Sequence, residues 1–258
     1  LIMFYVMKHD LSYGMMVTAS HNPAIYNGIK VFTKGGRDAD EHQTADIERY
    51  LEQADKLYVP DLEENGQMPP HAYQELVKSG QVVEMNPMNE YLDNIISLIN
   101  LDAIRERDLR IAIDPMYGVS LTALCTILSI ARCTVETINA QHDTLFGGKM
   151  PAPTESTLRN LQNYVLDRYC DIGIATDGDA DRLGVIDDKG HYLHANTILV
   201  MLYYYLLKYR GWRGPAVRNL STTHVLDKVA ESFGQKCYEV PVGFKYISAK
   251  MQETDAII

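Results

Sequence analysis

An α/β chain of more than one domain is what this sequence predicts, and three observations carry that reading. Short β-rich runs alternate with helical segments along most of its length. Its 258 residues, 46% of them hydrophobic, suffice for two domains of roughly 100 to 150 residues. Two breaks, a polar one over 59–73 and one near residue 192, interrupt the alternation.

The first nine residues, LIMFYVMKH, are apolar enough to lie inside an element, but their periodicity fits helix and strand equally. They lack the charged lead and small-residue cleavage site of a signal peptide. MMVTA (15–19) and IKVF (29–32) read as strands, and 40–54 as a helix. VPDLEENGQMPPHAY (59–73), polar and proline-containing, reads as a loop before a boundary near residue 90. Four further strands are expected in RIAID (110–114), TVETI (134–138), DIGIAT (171–176) and LGVID (183–187). Helices are expected over 121–131, 155–167, 195–209 and 223–233. The apolar stretch TILVMLYYYLLKY (197–209) holds a lysine and falls short of the ~20 residues that cross a bilayer, so it reads as a buried helix. The expected domains are 1–90, 91–191 and 192–258.

A net charge of −10 argues against nucleic acid as a partner, because phosphate backbones are bound through excess lysine and arginine. No membrane partner is expected either. The cysteines, at 125, 133, 170 and 237, are far apart and form no CxxC pair, which fits a reduced, cytoplasmic setting.

Chemistry concentrates in two stretches. In IGIATDGDADRLGVID (172–187), Asp177, Asp179 and Asp181 alternate inside a polar loop between two expected strands. Three carboxylates so close repel one another, and a hard divalent cation such as Mg²⁺ or Ca²⁺ removes that repulsion. An EF-hand is excluded: Arg182 stands where its glycine belongs, Asp188 where its glutamate belongs, and strands flank the loop. An acidic β-turn remains the simpler alternative. Arg182 beside the acids suggests a phosphate held between arginine and cation.

The second stretch is VTASHNPAIYNGIK (17–30). Ser20 followed by His21, Asn22 and Pro23 suits a helix cap, since Ser and Asn are preferred N-caps and Pro fits a first turn. A Ser-His-Asp hydrolase fits poorly, because a nucleophile elbow reads GxSxG and the flanks here are Ala19 and His21. A hydroxyl after a buried strand, with His21 adjacent and Lys30 ten residues on, also suits a phosphoryl acceptor.

Together with VGFKYI (242–247), these stretches resemble the α-D-phosphohexomutase family of phosphoglucomutases and phosphomannomutases. Family members carry a TASHNP loop with a phosphorylated serine, a DGDxDR metal loop and a GFK-type sugar loop, here residues 18–23, 177–182 and 242–247. The resemblance covers essentially the whole chain. It implies tandem α/β/α sandwich domains with mixed sheets, Ser20 as the phosphoserine, and Mg²⁺ held by Asp177, Asp179, Asp181 and a phosphoryl oxygen on Ser20. Lys30 corresponds to a lysine given acid/base or charge-stabilising work, and Arg182 would contact the phosphoserine region. Gly243 and Lys245 would lie on the sugar-phosphate side. His21 either tunes the phosphoserine or caps its loop. Members also have an arginine-containing segment before the serine loop, a GExSG loop after the GFK segment and a C-terminal phosphate-binding domain. With none of these found in the sequence, a central, inactive or weakly active fragment is expected.

The implied reaction moves a phosphate between C1 and C6 of a sugar through a bisphosphate such as glucose 1,6-bisphosphate. Glucose phosphate is the expected small-molecule substrate, because LFGGKMPAP (145–153) and VGFKYI look like the hexose branch. Phosphomannomutase, phosphopentomutase and phosphoglucosamine mutase activities are alternatives. So are a Mg²⁺-dependent sugar phosphatase with an aspartyl nucleophile and a sugar-phosphate-binding fragment without turnover.

Overall fold

The computed structural model describes residues 1–54 and 70–258. They divide into two compact units, Leu1–Gly14 with Val31–Tyr91, and Met15–Lys30 with Leu92–Ile258. In the first unit the N-terminal residues form helix α1 (Ile2–Lys8), which settles the ambiguity of their periodicity. A glycine lets this helix approach strand β1 (Tyr13–Val17). A Cβ on Gly14 would fall 2.6 Å from Val6 Cγ2 and 2.8 Å from Ile2 Cγ2. Strand β2 (Ile29–Thr33) pairs antiparallel with the short β3 (Arg37–Asp38), giving the order β1-β2-β3.

Helix α2 (Glu41–Ala54) opens with a reciprocal cap: Gln43 N–H donates to Asp40 Oδ1 at 2.8 Å, and Asp40 N–H to Gln43 Oε1 at 3.0 Å. Of the loop expected over 59–73, residues 59–69 lie outside the described residues. The remainder is not loop but the start of α3 (Pro70–Lys78), since proline has no N–H to lose in a first helical turn. Helix α4 (Met88–Leu98) leads into the second unit.

There α5 (Leu101–Arg105) is capped by Asn100, whose side chain accepts from Ala103 N–H. Next come β4 (Arg110–Asp114), α6 (Leu121–Ile130), β5 (Thr134–Thr137), α7 (Arg159–Arg168), β6 (Ile172–Thr176), β7 (Leu183–Asp187) and β8 (Tyr192–Leu193). Their five strands form one mixed sheet ordered β5-β4-β6-β7-β8, with β4 parallel to β5 and β6 and the last two pairs antiparallel. Ile111 to Asp114 are all buried, as expected for a central strand covered on both faces. Leu158, Leu161 and Val165 meet Ala112, Ala175 and Ile186 in the core, each large side chain contributing roughly 1.5–3 kcal/mol. Because β4 and β6 are parallel neighbours, the loops that follow them leave the sheet at the same end, the carboxyl end of the strands, where α/β proteins place their ligands.

A second core lies around α8 (Ala195–Lys208), β9 (Ala216–Asn219), α9 (Val225–Ser232), β10 (Cys237–Val240) and α10 (Phe244–Thr254). Strands β9 and β10 are parallel. Tyr203 and Leu207 of α8 are fully buried, and burial pushes the Tyr203 phenol up to about 12. Met201, Leu202, Tyr204 and Tyr205 are exposed, so α8 buries one face rather than the whole apolar run. Among the described residues the sheet beneath it has two strands, β9 and β10. Among the described residues no helix is long and apolar enough to cross a membrane.

Gly173 of β6 lies where α7 packs on the sheet. A Cβ there would meet Val165 Cγ2 at 2.8 Å, Leu161 Cγ at 3.1 Å and Ile186 Cβ at 3.2 Å. Gly173→Ala should therefore lower stability by about 1–3 kcal/mol, the usual cost of overpacking a core. Urea unfolding checks this as a lower midpoint at unchanged slope.

Candidate functional site

Residues 177–182 turn the chain from β6 into β7, and their first carboxylate shapes the turn. Asp177 is 0% exposed, and its Oδ1 accepts from the backbone N–H groups of Asp181 at 2.9 Å and Arg182 at 3.0 Å. Ala180 takes a left-handed φ of 62° within the loop. One oxygen each from Asp177, Asp179 and Asp181 can be chosen so that all lie within 4.8 Å of one another. Asp177 Oδ2 and Asp179 Oδ1 are buried without a hydrogen-bond partner. A buried acceptor left unpaired costs about 1–3 kcal/mol, more if charged, and an acidic β-turn offers nothing to offset it. An all-oxygen donor set with two buried oxygens to spare fits a hard cation such as Mg²⁺.

The serine loop meets this turn. Ser20 has a left-handed φ of 53°, and no helix follows it. Asn22 N–H instead closes a turn on Ala19 O at 3.0 Å, and Tyr26 N–H another on Pro23 O at 3.0 Å. The helix-cap reading of Ser20 is thereby overturned. Thr18, which the sequence does not single out for a role of its own, holds the loop. Its hydroxyl accepts from Ser20 N–H at 2.8 Å and donates to Asp179 Oδ2 at 2.9 Å. A threonine two residues before a strained serine is a local turn signal, but its reach to a residue 161 positions away is visible only in three dimensions.

His21 Nδ1 lies 3.4 Å from Ser20 Oγ, a long contact. Lys30 Nζ turns to the acidic loop, donating to Asp181 Oδ2 at 2.8 Å and Asp179 Oδ2 at 3.1 Å. Arg182 brings its Nε to 3.9 Å from both Asp177 Oδ2 and Asp181 Oδ1. Thus Ser20, His21, Lys30, Arg182 and the three aspartates share one site. Gly243 and Lys245 belong to another element: Gly243, with φ of 140°, precedes the first turn of α10, and Lys245 Nζ lies 4.9 Å from the centre of the Tyr246 ring. The segment expected as a GFK loop is therefore largely helix, and a conformation reserved for glycine accounts for Gly243.

Proton affinities diverge within the triad. Burial raises the Asp177 carboxyl to about 6, the N–H of Arg182 opposing and the charges of Asp181 and Asp179 adding to the rise. Burial acts the same way on Asp179, but the Thr18 hydroxyl and Lys30 ammonium outweigh it and its pKa is lowered. Burial tends to lower Lys30, yet its bonds to Asp181 and Asp179 prevail and its pKa is raised. Lys30 is a fixed cation at neutral pH.

Three family models match this chain in order, the phosphoglucomutase/phosphomannomutase alpha/beta/alpha domains I, II and III, over residues 1–58, 89–190 and 194–258. The chain belongs to the phosphoglucomutase/phosphomannomutase family. A Methanopyrus kandleri relative assigned as a phosphoglucosamine mutase is 28% identical over 98% of this chain and 52% of its own length. A Thermus thermophilus structure assigned as a phosphomannomutase superposes with a TM-score of 0.81 at 25% identity, over 98% of this chain and 54% of that one. An Aspergillus fumigatus N-acetylphosphoglucosamine mutase, crystallised with GlcNAc-6P and magnesium, matches at TM-score 0.51 and 16% identity, over 97% and 60%. The chain spans about half the length of the relatives it matches.

Thr18→Val keeps the outline of the side chain but leaves Ser20 N–H without its acceptor and Asp179 Oδ2 without one donor. A loss of about 1–3 kcal/mol in denaturant unfolding is expected, and Thr18→Ser should recover most of it. A second expectation concerns pH. The folded Asp177 carboxyl, at about 6, holds its proton more tightly than the unfolded group at 3.8, so its contribution to stability is full below 3.8 and lost as pH rises through about 6. A cation offsets that loss only once Asp177 is ionised. The gain in Tm on adding Mg²⁺ should accordingly be larger near about pH 7.5 than near about pH 5.

Proposed function

We propose that this chain carries the phosphoryl-transfer centre of a phosphohexomutase, which interconverts hexose 1-phosphate and hexose 6-phosphate. The observation that carries the reading is the Thr18 bridge, which ties the backbone of Ser20 to a carboxylate of the acidic triad. Phosphoryl transfer needs mainly positioning and charge neutralisation, and that bridge supplies the positioning.

In this reading phosphorylated Ser20 gives its phosphoryl group to the free hydroxyl of a sugar monophosphate, the resulting bisphosphate turns over, and the other phosphate returns to Ser20. Asp177, Asp179 and Asp181 would hold Mg²⁺, which when bound draws charge from the phosphoryl oxygens. Lys30, kept protonated by Asp181 and Asp179, acts through its charge rather than as a base. Arg182 adds a second positive group on the rim of the triad, and His21 orients Ser20 Oγ. Gly243 and Lys245 are assigned to the sugar-phosphate side, from their match to the family's sugar loop alone.

Glucose phosphate is favoured by LFGGKMPAP and VGFKYI, whereas the name of the Methanopyrus relative favours the 2-amino sugar. The substrates differ at C2, so one comparison separates them. We expect label from doubly ³²P-labelled glucose 1,6-bisphosphate to appear on Ser20 in the presence of Mg²⁺, and Ser20→Ala to abolish it. Label on an aspartate would establish the phosphatase reading instead. Turnover of glucose 1-phosphate exceeding that of glucosamine 1-phosphate would decide the sugar for glucose, and the reverse order for glucosamine.

A further inference from the structure

The acidic loop rests on a second loop that none of the motifs includes. Asp114, at the end of β4, fixes the course of residues 115–120: its Oδ1 accepts from Met116 N–H at 2.8 Å and its Oδ2 from Asn139 Nδ2 at 3.0 Å. Met116 and Tyr117 then take left-handed φ values of 49° and 62°, unusual for such side chains, and Tyr117 N–H donates to Asn139 O at 3.0 Å. This path lays Gly118 against the backbone of the acidic loop. Val119 N–H donates to Gly178 O at 3.2 Å, and the buried hydroxyls of Ser120 and Thr176 share a hydrogen bond of 2.7 Å.

Gly118 does not have positive φ, so space rather than conformation demands glycine there. A Cβ at this position would lie 2.6 Å from Gly178 O, 2.8 Å from Gly178 Cα and 2.9 Å from Asp177 O. All three are backbone atoms, with no flexible side chain to move aside. On the opposite side, a Cβ on Gly178 would come 3.3 Å from Ser20 O. The acidic loop is therefore pressed between residues 115–120 and the serine loop, with a glycine at each contact.

We infer that Gly118 is a positioning residue for the metal loop: by lacking a Cβ it lets residues 115–120 seat the Asp177–Gly178 backbone at the distance from Ser20 that aims the triad at a bound cation. The inference rests on the proposed Mg²⁺ site. A side chain at position 118 forces residues 115–120 and the Asp177–Gly178 backbone apart, which removes the seat of the acidic loop and the alignment of its three carboxylates. Groups that orient metal ligands without touching the metal typically govern about 10- to 100-fold in affinity. Loss of the Ser120 hydroxyl should loosen the same seat from its other end without steric insertion.

The test is calorimetric titration of Mg²⁺ into the wild-type chain and into Gly118→Ala, Ser120→Ala and Gly173→Ala, with far-UV circular dichroism to establish folding. Gly118→Ala should fold yet bind Mg²⁺ about tenfold or more weakly, and Ser120→Ala should bind several-fold more weakly. Gly173→Ala, crowded against side chains in the core, should lose thermal stability but keep wild-type affinity in its folded fraction. Wild-type affinity in folded Gly118→Ala overturns the inference, as does an equal loss in Gly173→Ala. If Gly118→Ala does not fold, Ser120→Ala decides, and unchanged affinity there rejects the seat. Absence of Mg²⁺ binding by the wild-type chain overturns the metal site itself and the inference with it.

Discussion

Three carboxylates held at one strand-to-strand turn, two of their oxygens buried without donors, set the problem that the surrounding structure answers. Asp177 cannot retreat to solvent, because its other oxygen closes the turn on the backbone of Asp181 and Arg182. What remains is to supply positive charge and donors from outside. Lys30 comes from the start of β2 with two hydrogen bonds, Thr18 from the loop before that strand with one, and Arg182 from the turn itself. Each partner also fixes the turn in place, so neutralisation and alignment are achieved by the same contacts.

Strained backbone gathers here for the same reason. Ser20, Met116, Tyr117 and Ala180 all have positive φ, and all lie on the three loops that meet at the triad. Such residues cost of order 1–3 kcal/mol each and persist only where neighbouring structure leaves no alternative. The five-stranded sheet provides that constraint, with β4 and β6 locked side by side and covered by α7. The loops can be irregular because the strands beneath them are not.

Much of this was legible in the sequence, and what was not has a physical explanation. β4 and β7 have the limits expected from RIAID and LGVID, since buried strands bounded by polar residues carry a strong local signal. Strand β9 gives a weaker one, for Arg218 sits in its interior and is 5% exposed, matched by Asp227 at 2.7 Å and Glu239 at 2.6 Å. A buried arginine makes sense only once its partners from α9 and β10 are known. Helix α10 hides behind a segment that reads as a sugar loop, and α3 behind two prolines. In the site, the residue types of Asp177, Asp179, Asp181 and Ser20 already pointed to the chemistry proposed for them. Thr18 and Gly118 act through distances to residues far along the chain, which local pattern does not encode.

The lysine placed among the acids has a thermodynamic consequence. Three carboxylates against Lys30 and Arg182 leave one formal negative charge. A dication alone would reverse that sign, and in the proposed phosphorylated form a phosphoserine of roughly −1.5 to −2 would deepen it to about −3. Only both together return the centre to near its resting charge. In the proposed reading metal and phosphoryl group are thus reciprocal ligands, each raising affinity for the other by one common factor, because their opposite charges largely cancel within the centre.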